Sequence, residues 1–187
     1  MDLRKAIEKR KSVERYSHKK PNWKKIIRAI EAARHAPTAG GMSNIKFILV
    51  SDEGKIKELA EATQQEFVGS APYVVVAVSD DSKLVRSYGK RGIRYSSQQG
   101  GAAIQNFLLA LTAQGLVTKW VMYFYDEKVR RIFNIPDELI VEGIFPIGKE
   151  TKAKIISREG KKKDLNNMLY FDSWKKKKME PVGRVTV

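Results

Sequence analysis

Three short stretches of this 187-residue chain carry groups that could bind a small anionic ligand. In the first, Arg10, Lys11 and Ser12 place a guanidinium, an ammonium and a hydroxyl side by side. Arginine can grip a phosphate bidentately, while serine adds a short donor and lysine adds charge. The stretch therefore predicts a phosphate site, although basic residues at a helix end can also simply balance the helix dipole.

The second stretch is a loop over residues 36–43, APTAGGMS, whose small residues let a flat ligand approach the backbone closely. The third contains Gly148 and Lys149, with further lysines at positions 161–163. Its ammonium groups again offer positive charge to a phosphate. Each stretch alone is a weak signal, and their order along the chain makes them informative.

The residue inventory excludes several kinds of reaction centre. The chain has no cysteine, which removes disulfides, thiolate metal sites and cysteine nucleophiles. His18 and His35 are its only histidines, so a multi-histidine metal site is also excluded. Neither a serine-hydrolase elbow nor a Walker sequence is present. We therefore assign no catalytic nucleophile and no metal site.

The net charge is strongly positive, with 36 lysines and arginines against 21 acidic residues, or +15. Such charge suits either nucleic acid or a pocket for a phosphate-bearing small molecule. Aromatic residues do not interleave with the basic ones as single-strand binders require, which disfavours a nucleic-acid partner. The N-terminus has no apolar signal region, and no apolar run reaches the ~20 residues of a membrane span. We expect a cytoplasmic protein without a membrane partner.

Apolar periodicity and turn residues divide the chain into alternating helices and strands. Helices are predicted over residues 2–10, 53–65, 97–114 and 126–133 and between Asn22 and Pro37, and strands over 45–50, 73–78, 116–124 and 139–147. Residues 80–94 are polar, contain glycine and are predicted to form a mobile excursion. The alternation predicts an α+β or α/β domain with about four or five strands.

Two apolar segments predict contacts beyond a small core. The helix over 97–114 is apolar around most of its circumference, so it must be buried nearly all round. In a chain of this length a subunit interface is the simplest way to bury it. Six apolar residues near the C-terminus predict an arm that packs on the core or on a partner. They are Leu165, Met168, Leu169, Tyr170, Phe171 and Trp174.

The order of the motifs is more specific than any one of them. A short helix and Arg-x-Ser are followed, after about 25 residues, by Ala-Pro-Thr-Ala-Gly and an apolar strand. Then come Ser-Ala-Pro before a valine-rich strand, the helical GAAIQNFLLA, Ile-Pro at 135–136 and Phe-Pro-Ile-Gly at 145–148. Over roughly residues 3–150 this order resembles the nitroreductase family of FMN-dependent oxidoreductases.

The resemblance implies an α+β, three-layer fold with a central, mostly antiparallel sheet flanked by helices. It also implies an intertwined homodimer with FMN at the subunit interface, each site being built from both chains. Residues 1–150 would form the FMN-binding core. Residues 151–187 would form a basic C-terminal segment that packs on the core or the partner subunit.

The resemblance also implies a set of cofactor-binding residues. The basic turn over residues 10–16 would hold the phosphate through Arg10, Lys11 and Ser12. The partner's 37–43 loop would approach the flavin, and the backbone of residues 122–123 would meet the flavin edge. Gly41 and Ser43 stand where the family usually has Asn and Gln. Glu14 stands where the family commonly has a basic residue. Its carboxylate must therefore point away from the flavin or pair with Arg15. The full set is Arg10, Lys11, Ser12, Pro37, Thr38, Ala39, Gly41, Ser43, Met122, Tyr123, Gly148, Lys149, Lys161 and Lys163.

The implied activity is transfer of hydride from NADH or NADPH to FMN and then to a nitroaromatic, quinone or similar acceptor, by ping-pong kinetics. The cofactor does the chemistry, so no side chain is assigned as catalytic. The 80–94 segment is either a solvated loop or a lid whose basic side chains, Arg86, Lys90, Arg91 and Arg94, meet a phosphate of NAD(P)H. The alternatives are reductive dehalogenation or flavin-modifying chemistry on the same fold, and a non-catalytic flavin- or nucleotide-binding module.

Overall fold

The computed structural model describes residues 1–151 and 164–179. The chain divides into two compact units, Met1–Ile155 and Ile156–Val187. In the larger unit the helices are α1 (Leu3–Lys9), α2 (Lys24–Ala33), α3 (Glu53–Thr63), α4 (Glu66–Gly69), α5 (Ser82–Tyr88), α6 (Lys90–Ala113) and α7 (Asp126–Phe133). The strands are β1 (Ile45–Val50), β2 (Tyr73–Ser79), β3 (Val117–Thr118) and β4 (Ile140–Gly148).

The strands form a sheet of order β1-β2-β4-β3 in which every neighbouring pair is antiparallel. The valine-rich β2 is central, with Val74 opposite Val50 of β1 and Pro146 of β4. All of β2 except Tyr73 is buried. A strand apolar on both faces is expected at such a position, as the sequence predicted.

Helices cover both faces of the sheet. On one face, Ile26 of α2 and Phe107 of α6 pack with Phe145 of β4. On the other, Leu59 of α3 and Val129 of α7 pack in a second core with alternate strand residues. These layers confirm the predicted α+β fold with a central antiparallel sheet. The homodimer remains a prediction.

The segment over residues 80–94 is helical from Ser82 onward except at Gly89, so the prediction of an irregular excursion was wrong. It forms α5 and the first turns of α6, which meet at Gly89 with a φ of 57°. Leu84 is 1% exposed, and a Cβ on Gly92 would overlap the backbone of Leu84 and Val85. The pattern looked polar because few of these side chains enter the core.

Two other predicted elements end early. The strand predicted over 116–124 is reduced to β3 and a single bridge between Val121 and Ile144. Between them, the indole of Trp120 donates a hydrogen bond to the carbonyl of Glu142 at 3.0 Å. The helix predicted over 53–65 ends at Thr63, because Gln64 adopts a left-handed conformation with φ 54°.

The smaller unit is described over residues 164–179. It contains one turn of 3-10 helix, Leu165–Asn167. The rings of Tyr170 and Trp174 lie 4.7 Å apart, and the Lys177 ammonium is 3.9 Å from the Tyr170 ring centroid. The expected packing of this segment on the core or a partner stays a prediction.

Candidate functional site

The basic turn follows α1 directly and is fixed to the edge of the sheet. Asp2 caps α1 by accepting a hydrogen bond from the Lys5 amide at 3.0 Å. The chain then extends, so that Ser12 forms a parallel bridge with Thr118 of β3. The Val13 amide donates to the Thr118 carbonyl at 3.1 Å. The pairing places the turn at the end of the sheet where β3 meets the end of β4.

Tyr16 anchors the other end of this turn. Its side chain is buried, and its hydroxyl donates to the carbonyl of Val13 at 2.7 Å. Burial raises the pKa of Tyr16, so the phenol stays protonated and remains a donor. A Cβ on Gly148 would lie 2.9 Å from the Tyr16 side chain. Glycine at 148 therefore permits the close approach that brings the basic turn beside the end of β4.

Two ion pairs also fix this turn. The Lys11 ammonium lies 2.6 Å from Glu150, and the Lys119 ammonium lies 2.6 Å from Glu14. The expected pairing of Glu14 with Arg15 was wrong, because β3 brings Lys119 opposite Glu14. That the Glu14 carboxylate points away from the flavin stays a prediction.

Because Lys11 is already paired, the free cations near the turn matter more. Among the described residues, no carboxylate forms an ion pair with Arg10 or Lys149. Together with the Ser12 hydroxyl, these two side chains are available to an anion.

The 37–43 loop contains a single helical turn, Ala39–Gly41. Gly40 and Gly41 have φ values of 58° and 72°, a region that favours glycine. A Cβ on Gly40 would lie 2.6 Å from the hydroxyl of Tyr88, whereas one on Gly41 would meet nothing within 4 Å. The loop is thus covered on one side by α5 and open at Gly41.

Gln99 of α6 holds the loop from beneath, and the sequence patterns did not single it out. Its side-chain oxygen accepts from the Ala39 amide at 3.0 Å, and its nitrogen donates to the Met42 carbonyl at 2.8 Å. Next to these contacts is a cavity of about 220 Å³. The cavity is lined by Pro37, Thr38, Ala39, Tyr95, Gln98, Gln99 and Ala102.

The structure therefore brings the predicted site residues together in two groups. Arg10, Lys11, Ser12, Gly148 and Lys149 lie at one end of the sheet, where β3 and β4 meet. Pro37, Thr38, Ala39, Gly41 and Ser43 lie in the loop that packs on α6. Within residues 1–151 and 164–179, no hydrogen bond or ion pair joins the two groups.

Met122 and Tyr123 follow the Val121 bridge, with side chains 70% and 67% exposed. Lys161 and Lys163 lie outside the described residues. The basic side chains of the predicted lid, Arg86, Lys90, Arg91 and Arg94, are exposed on α5 and α6.

Two further features concern the described residues alone. They contain no cluster of three or more histidine, aspartate or glutamate side chains that could hold a metal ion. None of their helices combines the length and apolarity needed to cross a membrane.

Comparison with known proteins agrees with this fold. A model of the nitroreductase family matches residues 7–68 and 60–149. A candidate nitroreductase of Methanocaldococcus jannaschii is 34% identical over 104 residues, which is 55% of this chain but only 52% of that relative. The iodotyrosine deiodinase of Thermotoga neapolitana is 26% identical over 158 residues, covering 75% of this chain and 84% of that protein.

Solved structures match over most of the chain. A nitroreductase family protein from Clostridium novyi NT superposes with a TM-score of 0.74 at 26% identity, covering 94% of this chain and 96% of that one. An iodotyrosine deiodinase bound to FMN and 3-iodo-L-tyrosine superposes with a TM-score of 0.69 at 22% identity, covering 84% and 98%. The chain belongs to the nitroreductase family, as the order of its motifs predicted.

Proposed function

We propose that this protein is an FMN-dependent oxidoreductase that moves hydride from NADH or NADPH to a nitroaromatic, quinone or similar small acceptor by ping-pong kinetics. The observation that carries the proposal is the basic turn fixed beside Gly148 and Lys149 in a chain of the nitroreductase family. A protein of the same fold is solved with FMN bound, which supports the choice of cofactor.

The side chains present fit this cofactor at both ends. Arg10, Ser12 and Lys149 would hold the phosphate, because they offer a guanidinium, a hydroxyl and an ammonium that form no ion pair with any described carboxylate. Lys11 would add charge from its pair with Glu150. A Cβ at Gly41 would meet nothing within 4 Å, which supports the approach of a flat ring to the backbone there.

Bound FMN would supply the hydride and electron transfer between the two substrates. The chain's own groups would bind, orient and stabilise charge. Lys119 follows β3, the strand that Ser12 bridges, and its ammonium pairs with Glu14 beside the turn. A cation there favours negative charge on a bound ligand. No side chain is assigned a nucleophilic role.

We further propose a homodimer in which the turn of one chain and the 37–43 loop of its partner complete each site. The two groups of site residues lie on different elements, which supports sharing between subunits. Several large apolar side chains are exposed, and exposed apolar surface of this kind is common at subunit interfaces. These side chains are Leu3, Ile7, Trp23, Ile27, Ile93, Met122 and Tyr123.

Anaerobic reduction tests the proposed activity. Protein loaded with FMN should lose its flavin absorbance when NADH or NADPH is added without oxygen. A nitroaromatic or quinone should then restore it. Flavin that binds but is bleached by neither nucleotide would favour the non-catalytic binding module and would contradict the enzyme proposal.

Reductive dehalogenation is a second candidate, favoured by the similarity to the Thermotoga neapolitana deiodinase over 75% of this chain. Loaded and chemically reduced protein should then release iodide from 3-iodo-L-tyrosine faster than it reduces a nitroaromatic. The reverse order of rates supports the first proposal.

A further inference from the structure

We propose that Gln99 is a positioning residue that sets the conformation of the 37–43 loop for flavin binding. The inference rests on the proposed function, because it assumes that this loop contacts the cofactor. It adds a residue outside the predicted site, and one that acts through the loop.

The oxygen and both N–H donors of the Gln99 side chain are hydrogen-bonded to the loop or to Asn44, the residue that follows it. Its oxygen accepts from the Ala39 amide at 3.0 Å. Its nitrogen donates to the Met42 carbonyl at 2.8 Å and to the side-chain oxygen of Asn44 at 2.6 Å. Gln99 is only 7% exposed, so water cannot easily replace these partners. One amide thus fixes both ends of the turn.

The contact is braced by a second position on α6. The side-chain nitrogen of Asn44 donates to the hydroxyl of Ser96 at 2.6 Å. Ser96 is 2% exposed and lies one helical turn before Gln99. The carbonyl of Asn44 accepts from the Asp80 amide at 2.9 Å, at the end of β2. The loop is therefore joined through Asn44 to both the helix and the sheet.

Few contacts besides those of Gln99 and Asn44 fix the conformation of the loop. Its turn contains one internal hydrogen bond, from the Met42 amide to the Ala39 carbonyl at 3.1 Å. Gly40 and Gly41 are both left-handed, and glycine has the most backbone freedom to lose on ordering. Removal of the Gln99 amide would release the turn and leave the buried Asn44 side chain and two partly buried backbone groups without this partner. Part of the free energy of flavin binding would then be used to order the loop, and the affinity for flavin would fall.

The first test compares Gln99→Met with Gln105→Met. Both positions are glutamines of α6, but Gln105 is exposed. The FMN dissociation constant should rise about tenfold or more in Gln99→Met, the loss expected for buried hydrogen bonds that are not replaced. Gln105→Met should bind FMN as the wild type does.

The second test uses the pH profile of FMN affinity in Gln99→Glu. An ionised carboxylate would face the oxygens of Met42 and Asn44, whereas a protonated one supplies an acceptor and one donor. Affinity should therefore recover as the pH falls, relative to wild type. The titratable groups nearby are Tyr95 at the cavity, Tyr88 against Gly40, Asp80 bonded through its amide to Asn44, and Glu142 beneath Gly100. All of them are shared with wild type and with the Gln105→Glu control.

The outcomes separate the two proposals. If Gln99→Met binds FMN as well as Gln105→Met does, or if Gln99→Glu shows the wild-type pH profile, the positioning role is wrong while the proposed function stands. If Gln99→Met does not fold, the Gln99→Glu profile decides alone. Wild-type protein that fails to bind FMN at any pH would overturn both.

Discussion

At the scale of single residues, Arg10 is the side chain on which phosphate binding depends most. It ends α1, and its amide donates to the Ala6 carbonyl at 3.0 Å, which fixes where the side chain begins. Its neighbour Lys11 is paired with Glu150, but Arg10 forms no ion pair with any described carboxylate. Its guanidinium can therefore engage a phosphate bidentately without first breaking another contact.

Replacing Arg10 with alanine should weaken FMN binding by roughly 1.5–3 kcal/mol, the usual cost of a lost charged hydrogen bond. Arg4→Ala is a matched control, because Arg4 lies on α1 and, among the described carboxylates, pairs with Glu8 alone. Fluorescence titration of each apoprotein with FMN measures the two dissociation constants. Equal dissociation constants for the two variants would remove Arg10 from the site.

Breaking the ion pair between Lys11 and Glu150 should strengthen FMN binding, whereas Arg10→Ala should weaken it. In Glu150→Gln the ammonium is released and a negative charge near the turn is lost. FMN should bind about two- to fivefold more tightly, because a partly exposed ion pair has only a small energy. Glu138→Gln is the control, since Glu138 is exposed and remote from the turn. Weaker binding in Glu150→Gln would mean that the pair itself holds the turn in shape.

Some of these residues could be found from the sequence, but their partners could not. Arg10, Ser12 and Gly148 belong to local motifs whose residue types limit what they can bind. The contact of Glu14 with Lys119 spans 105 positions and depends on the register of β3. Gln99 has no local signal either, because a buried glutamine and an exposed one look alike on an otherwise apolar helix.

At the scale of elements, α5 and α6 form a tightly packed pair that covers the 37–43 loop. The hydroxyl of Tyr88 on α5 lies against Gly40, and its ring meets Tyr95 of α6 at 5.3 Å. The close approach of the two helices depends on Gly92, which faces the backbone of Leu84 and Val85. A displacement of α5 would therefore uncover the loop.

Gly92→Ala should lower the free energy of unfolding by about 1–3 kcal/mol, the usual cost of overpacking a close contact. Gly101→Ala on the same helix is the control, because a Cβ there meets nothing within 4 Å. That change should be neutral or stabilising by up to about 1 kcal/mol through helix propensity. Urea denaturation measures both, and similar values for the two variants would contradict the packing argument.

The long-range pattern of elements was easier to predict than their ends. Continuous β-branched or apolar runs located β1, β2 and β4 to within about two residues, because burial on both faces leaves a strong signal. Helix α5 was missed because Leu84 is its only buried residue. The strand over 116–124 was overestimated because Trp120 bonds to β4 through its side chain rather than extending the backbone pairing.

At the scale of the whole molecule, the proposed dimer makes a prediction about shared sites. Arg10→Ala removes the guanidinium of the turn, and Gly41→Trp fills the open side of the loop. Each variant therefore carries a defect in one half of the site. If each site is built from the turn of one chain and the loop of the other, a heterodimer of the two variants has one site with both substitutions and one site with neither. Random mixing should restore strong FMN binding at about a quarter of all sites.

Stoichiometric titration after the two variants are unfolded and refolded together measures this recovery. Each variant refolded alone is the control and should show no tight sites. An absence of recovery in a mixture that sediments as dimers would mean that the turn and the loop of one chain serve the same site. Sedimentation of the wild type as a monomer would contradict the dimer itself.

In the proposed function, the basic turn beside β4 holds the phosphate of a flavin nucleotide. Titration of the wild-type apoprotein with FMN and with riboflavin, which lacks the phosphate, tests this role. FMN should bind at least about tenfold more tightly than riboflavin, and the difference should shrink as salt screens the cations. Equal affinity for the two flavins, or no binding of either, would contradict the claim.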